Sequence, residues 1–262
     1  MSNPKGHADL LFEQYLLSLN LCDFEYEKDW EGITVHPDYS VFHEDSTYIF
    51  EIKELEAKPP VSGFSFGDPY RPIRAEIHEV VSRKQFKPFR DKFPCCLVLW
   101  SSDDPHQLID PIRMGGAMYG DIGLRVYFDP NTGESPDEKS EVVFSKRGKM
   151  IRPGENEPQN TTFSALISLS AYPVGRLWEQ LKGQFDSSEL SSMNLFETSD
   201  TNLVVPGVTV WENAFAQIPF PRNMFNGPFD HRYINENGYF KLYEMGKAWE
   251  TIKSMRAAFT NG

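Results

Sequence analysis

Glu51-Ile52-Lys53 ends the apolar run Tyr48-Ile49-Phe50 and follows Pro37-Asp38 at short range. Side chains alternate along a strand, so Glu51 and Lys53 fall on one face and Phe50 and Ile52 on the other. Residues 37–42 read as the neighbouring strand, with Asp38, Ser40 and Phe42 on one face. If these two strands pair as a hairpin, the end of one lies beside the start of the other. Two carboxylates and an ammonium then meet at a sheet edge. Carboxylate oxygens, completed by water and a substrate phosphate, are the shell that a hard cation such as Mg²⁺ takes. Such a cation lowers the pKa of a bound water and neutralises charge developing on a phosphorane-like transition state. Lys53 would orient the water or hold the scissile phosphate as a point charge. Glu56-Ala57-Lys58 and Asp137-Glu138-Lys139 repeat the acid-x-Lys spacing, but neither lies in a strand.

The elements around these residues follow from periodicity. Residues 7–20 read as a helix, and Glu13 places a carboxylate on its face of Leu10 and Leu17. Residues 24–30, 37–42 and 47–53 read as three short strands. Residues 54–73 carry four prolines and two glycines and read as a long binding loop or lid. Residues 74–92 return to helical period and carry Lys84-Gln85; residues 94–100 are a continuous apolar run of buried-strand length. Residues 101–160 read as a loop-rich insertion with strands at 123–128 and 141–145. A strand at 161–170, a helix at 175–185, an irregular stretch over 186–238 and an amphipathic helix at 239–259 complete the chain. This order predicts one domain over 1–262, a three-layer α/β/α fold with a mixed sheet: a core of 7–100 and 161–185, and a C-terminal extension over 186–262.

The chain holds 38 acids against 26 Lys and Arg, a net charge of −12. That balance argues against coating nucleic acid through bulk charge. The charge is uneven, however. Residues 1–56 hold 13 acids and 3 bases, whereas Arg71, Arg74, Arg83, Lys84, Lys87, Arg90 and Lys92 cluster in one stretch, and Lys146, Arg147, Lys149 and Arg152 in another. These stretches are solvated faces or phosphate-facing surfaces. Three cysteines, two of them adjacent, point to a reduced, cytoplasmic compartment. No apolar run suits a spanning helix, and residues 10–21 are too polar for a signal peptide.

Pro37-Asp38 followed by Glu51-Ile52-Lys53, in a helix–three strands–helix–strand order, resembles the PD-(D/E)xK nuclease superfamily, the restriction-endonuclease-like fold. The likeness covers about residues 7–100, and less of 161–185. It implies a Mg²⁺-dependent phosphodiesterase (Mn²⁺ substituting) that acts on DNA or RNA, DNA ahead of RNA. It implies Asp38 and Glu51 as metal ligands and Lys53 as the catalytic lysine. Glu13 matches an auxiliary ligand of the first helix, and Gln85, in its Lys84-Gln85 pair, a helper of the second. Arg71, Arg74, Arg83, Lys84, Lys87, Lys146, Arg147 and Lys149 are then the expected nucleic-acid contacts. Self-association as a homodimer stays open.

Two other readings compete: a silent module of the same fold that binds nucleic acid or a protein, and a carboxylate-pair hydrolase of sugars. Lys53 beside both acids fits a phosphate substrate better. Gly115-Gly116-Ala117-Met118-Tyr119-Gly120 reads as a turn, since no Gly-Lys-Ser/Thr follows it. The histidines and cysteines show no zinc-ligand spacing. Cys95 and Cys96 read as core, and His231 as a loop-packing residue.

Overall fold

A computed structural model of the chain describes residues 4–55, 68–101, 108, 110–125, 132, 141–144, 147–152, 157–173, 204–236 and 239–248. The alternation around Glu51 builds the first hairpin. β2 (Tyr39–His43) and β3 (Ser46–Glu54) pair antiparallel, with Tyr39 opposite Phe50 and His43 opposite Ser46. Glu44 and Asp45 between them both take left-handed angles, φ 47° and 61°. Two successive residues at positive φ give the turn whose twist matches that of the strands, and this sets the register.

β1 (Phe24–Tyr26) pairs antiparallel with β2 on its other side. β4 (Cys95–Trp100) runs parallel to β3, and β7 (Phe163–Pro173) parallel to β4. β8 (Val204–Glu212), β9 (His231–Glu236) and β10 (Tyr239–Met245) extend the sheet, while β5 (Ile122–Arg125) and β6 (Glu141–Phe144) pair separately. The large sheet has the order β1-β2-β3-β4-β7-β8-β9-β10 and is mixed, as expected for an α/β protein.

The sheet centre is buried on both faces, which is why the Cys95-Cys96-Leu97-Val98-Leu99-Trp100 run is apolar throughout. Cys96, Val98 and Trp100 join a cluster with Phe12, Tyr15 and Leu16 of α1 (His7–Ser18). Cys95, Leu97 and Leu99 join a second cluster with Ile77 and Val80 of α2 (Arg71–Ser82) and Met114 and Met118 of α3 (Pro111–Tyr119). Among the described residues one helix covers one face and two cover the other. Each fully buried side chain of this size contributes roughly 1.5–3 kcal/mol. Burial also pushes the Cys95 and Cys96 thiols up, as core residues require. Among the described residues no helix is long and apolar enough to cross a membrane.

Several elements differ from the expectation. Gly115 and Gly116 lie inside α3, not in a turn. The helix starts at an Asp110 cap that accepts from the Ile112 N–H, with Pro111 in its first turn. A Cβ on Gly116 would meet the Tyr70 ring at 2.6 Å, so close approach outweighs the low helix propensity of glycine. α2 begins before residue 74 and ends at Ser82, where Arg83 caps it and Lys84 turns to φ 58°. The stretch 186–238 is irregular only in part: residues 213–230 are turns and loop as expected, but the flanking residues form β8 and β9. Pro206 and Gly207 hid β8; a Cβ on Gly207 would meet the Phe229 Cβ at 2.8 Å. Residues 239–245 form β10 instead of the start of a helix. Their aromatic, alternating character and the preceding Asn237-Gly238 pair are hairpin signals that outweigh the helical spacing of Leu242 and Trp249. Residues 175–185 lie outside the described residues.

Candidate functional site

The β2–β3 ladder ends at Tyr39 opposite Phe50, and one further step of the same register sets Asp38 opposite Glu51. Side chains directly opposite on one face have Cβ atoms about 4.5–5.5 Å apart. Asp38 is fixed there because its Oδ2 accepts the Ile52 N–H at 2.6 Å. Phe50 and Ile52 turn into the α1-side core, so Glu51 and Lys53 face α2. Gln85, just past the end of α2, donates from Nε2 to Glu51 Oε1 at 3.0 Å. Lys53 Nζ lies 3.0 Å from the same oxygen and 3.6 Å from Glu79 Oε1 of α2. Asp38, Glu51, Lys53 and Gln85 thus come together. They do so at strand ends inside the sheet, not at its edge, because β1 covers β2 on one side and β4 covers β3 on the other.

The site carries more negative than positive charge. Burial, and next the Glu51 carboxylate, push the Asp38 carboxyl up to about 7; the Ile52 N–H and Lys53 oppose the rise. For Lys53, burial disfavours the ammonium, but Glu51, Asp38 and Glu79 outweigh it and leave its pKa raised. Lys53 therefore stays a cation near neutral pH. Burial and then Glu79 also raise Glu76. Glu51 is 2% exposed, and its Oε2 is buried with no hydrogen-bond partner. A buried carboxylate oxygen left unpaired costs free energy unless something positive meets it.

That orphan oxygen, next to the crowded Asp38, fits a hard cation. Mg²⁺ needs one or two carboxylates and keeps water or phosphate for the rest. Among the described residues no group of three or more His, Cys, Asp or Glu stands ready to hold a metal. Glu13 explains part of this. Its Oε1 accepts from the Tyr39 hydroxyl at 3.0 Å and pairs with Lys5. Glu13 is thus one residue removed from Asp38, held through Tyr39. Asp9, one turn earlier on α1, is the helix acid whose charge bears on Asp38. Sequence reasoning missed Asp9 and Glu79. Glu79 had a weak signal, an acid within a basic stretch that packs on β3.

The expected nucleic-acid contacts divide. Arg74 is a correction: it is 5% exposed and bound to Asp68 at 2.7 Å and to the Gly116 carbonyl at 2.5 Å, so it braces α2 against α3. Arg83 pairs with Glu79 at 3.1 Å. Arg71, Arg147 and Lys149 line one cavity, and Lys84 and Lys87 the next. Lys146 lies outside the described residues. His231 opens β9, where burial lowers its pKa to about 4. No protein-family model matches the chain, and no curated protein or solved structure matches it either.

Proposed function

We propose that this protein is a Mg²⁺-dependent nuclease with a restriction-endonuclease-like core. One observation carries the reading: Asp38, Glu51 and Lys53 converge at the end of β3, and Glu51 Oε2 is left unpartnered there. The helix on one face and the order of the first four strands agree with the fold.

Asp38 and Glu51 would hold the cation, which lowers the pKa of a water and stabilises charge on the phosphoryl oxygens. The chain's own groups do the rest. Lys53, kept cationic by its neighbours, donates hydrogen bonds to a non-bridging phosphate oxygen or to the attacking water, and it does not act as a base. The water oxygen would bond to phosphorus, giving its proton up to bulk water, as the P–O bond to the leaving sugar oxygen breaks and that oxygen takes a proton from solvent. Gln85 fixes the rotamer of Glu51 and so acts as a positioning residue.

Plasmid, single-stranded DNA and RNA incubated with Mg²⁺, Mn²⁺ or EDTA, beside Lys53→Ala, test this. Cleavage by the wild type that needs the metal and vanishes in Lys53→Ala is expected. Equal cleavage by Lys53→Ala would overturn the assignment. Metal-independent binding with no cleavage would point to a silent module.

A further inference from the structure

α2 has two flanks. One carries Glu79 toward Lys53. The other forms the wall of a cavity of about 590 Å³ lined by Arg71 and His78, with Arg147, Lys149 and Asn160 facing them. A second cavity of about 300 Å³ shares Val81 and Asn160 with the first and adds Lys84, Lys87 and Arg90. The two adjoin at Val81 and Asn160, and together they make a groove beside α2 and the turns that follow it.

Its charge runs against that of the whole chain. Among the described residues Asp68 is the one acid lining either cavity, and it is committed to Arg74. Arg71, Lys84, Lys87, Arg147 and Lys149 have no ion-pair partner among the described residues. These cations stand on a fixed backbone. Gln159 Nε2 donates to the carbonyls of Gly148 at 3.0 Å and Ile151 at 2.8 Å, and Asn160 Nδ2 to that of Lys149 at 2.6 Å. Arg147 is held at φ 87°, and a Cβ on Gly148 would meet the Tyr119 carbonyl carbon at 2.2 Å. The segment therefore needs glycine there to lie against α3.

Unpaired cations on a rigid frame attract an anion. Their spread sets its shape. From Arg71 to Lys84 the chain runs about 20 Å at 1.5 Å per residue, which matches about six nucleotides of one strand at 3.4 Å each. A single small anion would use only one end of that length. The groove also meets the candidate site at one point. Lys84 lines the groove while the next residue, Gln85, reaches Glu51. Lys84 takes the left-handed angle φ 58° at this junction.

We propose that this groove is an exosite for the sugar–phosphate backbone of a nucleic acid, delivering the strand past the end of α2 to Asp38 and Glu51. It takes the identity of the anion from the nuclease reading. It holds the strand beyond the bond that is cut and reads no base.

The test is binding of a labelled single strand and a duplex in EDTA across a range of salt, with cleavage in Mg²⁺ measured separately. Arg71→Ala/Lys149→Ala and Lys84→Ala/Lys87→Ala should each weaken binding at least tenfold near 0.1 M salt. Each should also flatten the slope of log K against log salt by about 1.4–1.8, the loss of two phosphate contacts. Lys241→Ala, on β10, should change neither. Groove variants that fold like the wild type and keep its affinity and slope would overturn the proposal, as would a wild type that binds neither DNA nor RNA at low salt. Groove-dependent binding with no cleavage in Mg²⁺ or Mn²⁺ would support the exosite and overturn the nuclease reading alone.

Discussion

Asp38 Oδ2 accepts the backbone N–H of Ile52, the residue that separates Glu51 from Lys53. The three groups of the candidate site are therefore one rigid unit, set by a strand register and one hydrogen bond. Asp38→Asn keeps an acceptor for that N–H and removes a charge that burial and Glu51 disfavour. Without metal at pH 8 it should be more stable than the wild type, while cleavage falls at least 100-fold. Asp38→Ala leaves the N–H unpaired, a cost of about 1–3 kcal/mol, and should be the less stable of the two variants. Urea titrations check the order; an alanine variant as stable as the asparagine one would contradict it.

The raised Asp38 carboxyl gives a pH dependence whose sign is fixed. Its value is about 7 folded and 3.8 ordinarily, so the folded form binds the proton more tightly. This group's contribution to metal-free stability is then greatest below pH 4 and declines as pH rises to 7. A cation needs the ionised form. The Mg²⁺-induced rise in Tm should grow between pH 6 and 8, and apparent affinity should fall about tenfold per pH unit below 7. Glu51→Gln should bring the Asp38 value down, seen in carboxyl ¹³C titrations. A Mg²⁺ effect flat from pH 5 to 8 would count against the site.

Lys53 and Glu79 should separate cleanly. Lys53→Met removes the cation between two buried acids, so cleavage should drop at least 100-fold and metal-free stability should fall. Mg²⁺ affinity should hold or improve, since a positive neighbour is gone. Glu79 is 37% exposed, and its pairing with Lys53 is 3.6 Å long. Glu79→Gln should cost under about 1 kcal/mol and change the rate less than about tenfold. Matched calorimetry and cleavage assays distinguish the two.

Gln85 acts only through Glu51. Gln85→Ala should weaken Mg²⁺ binding about 10–100-fold, as loss of an outer partner does, and cost about 1 kcal/mol of stability. At saturating Mg²⁺ the rate should return to within a few-fold of the wild type. A rate defect that metal cannot rescue would mean that Gln85 touches the substrate.

The Asp38–Glu51 meeting was legible because it rests on local rules. A period of two assigned the faces, and the polar turn at residues 43–46 set the register. Gln85 reached the same reading only through the family resemblance, since a helix-end glutamine carries no direction of its own. What stayed hidden was decided by distant partners. Arg74 looked like surface charge until Gly116, 42 residues away, offered its carbonyl. Gly116 looked like a turn until the Tyr70 ring took the place of its side chain. β8 carries Pro206 and Gly207, local signals that mislead, and its pairing with β7 overrides them; β10 carries strand and helix signals together, and the strand signals win.

The hydroxyl of Tyr15 on α1 donates to buried Asp230 at 2.7 Å, a residue 215 positions later, and Phe12 packs on Phe225. During synthesis the first helix can pack early on Tyr39, Phe50 and Cys96, but not on these later partners. The part of its apolar face that meets Phe225 and Asp230 must wait, exposed, until residue 230 is translated. Non-local closure of this kind is slow, and the waiting surface invites aggregation. An excised stretch of about the first hundred residues would hold every group of the candidate site and still lack Phe225 and Asp230, which close one side of its first helix.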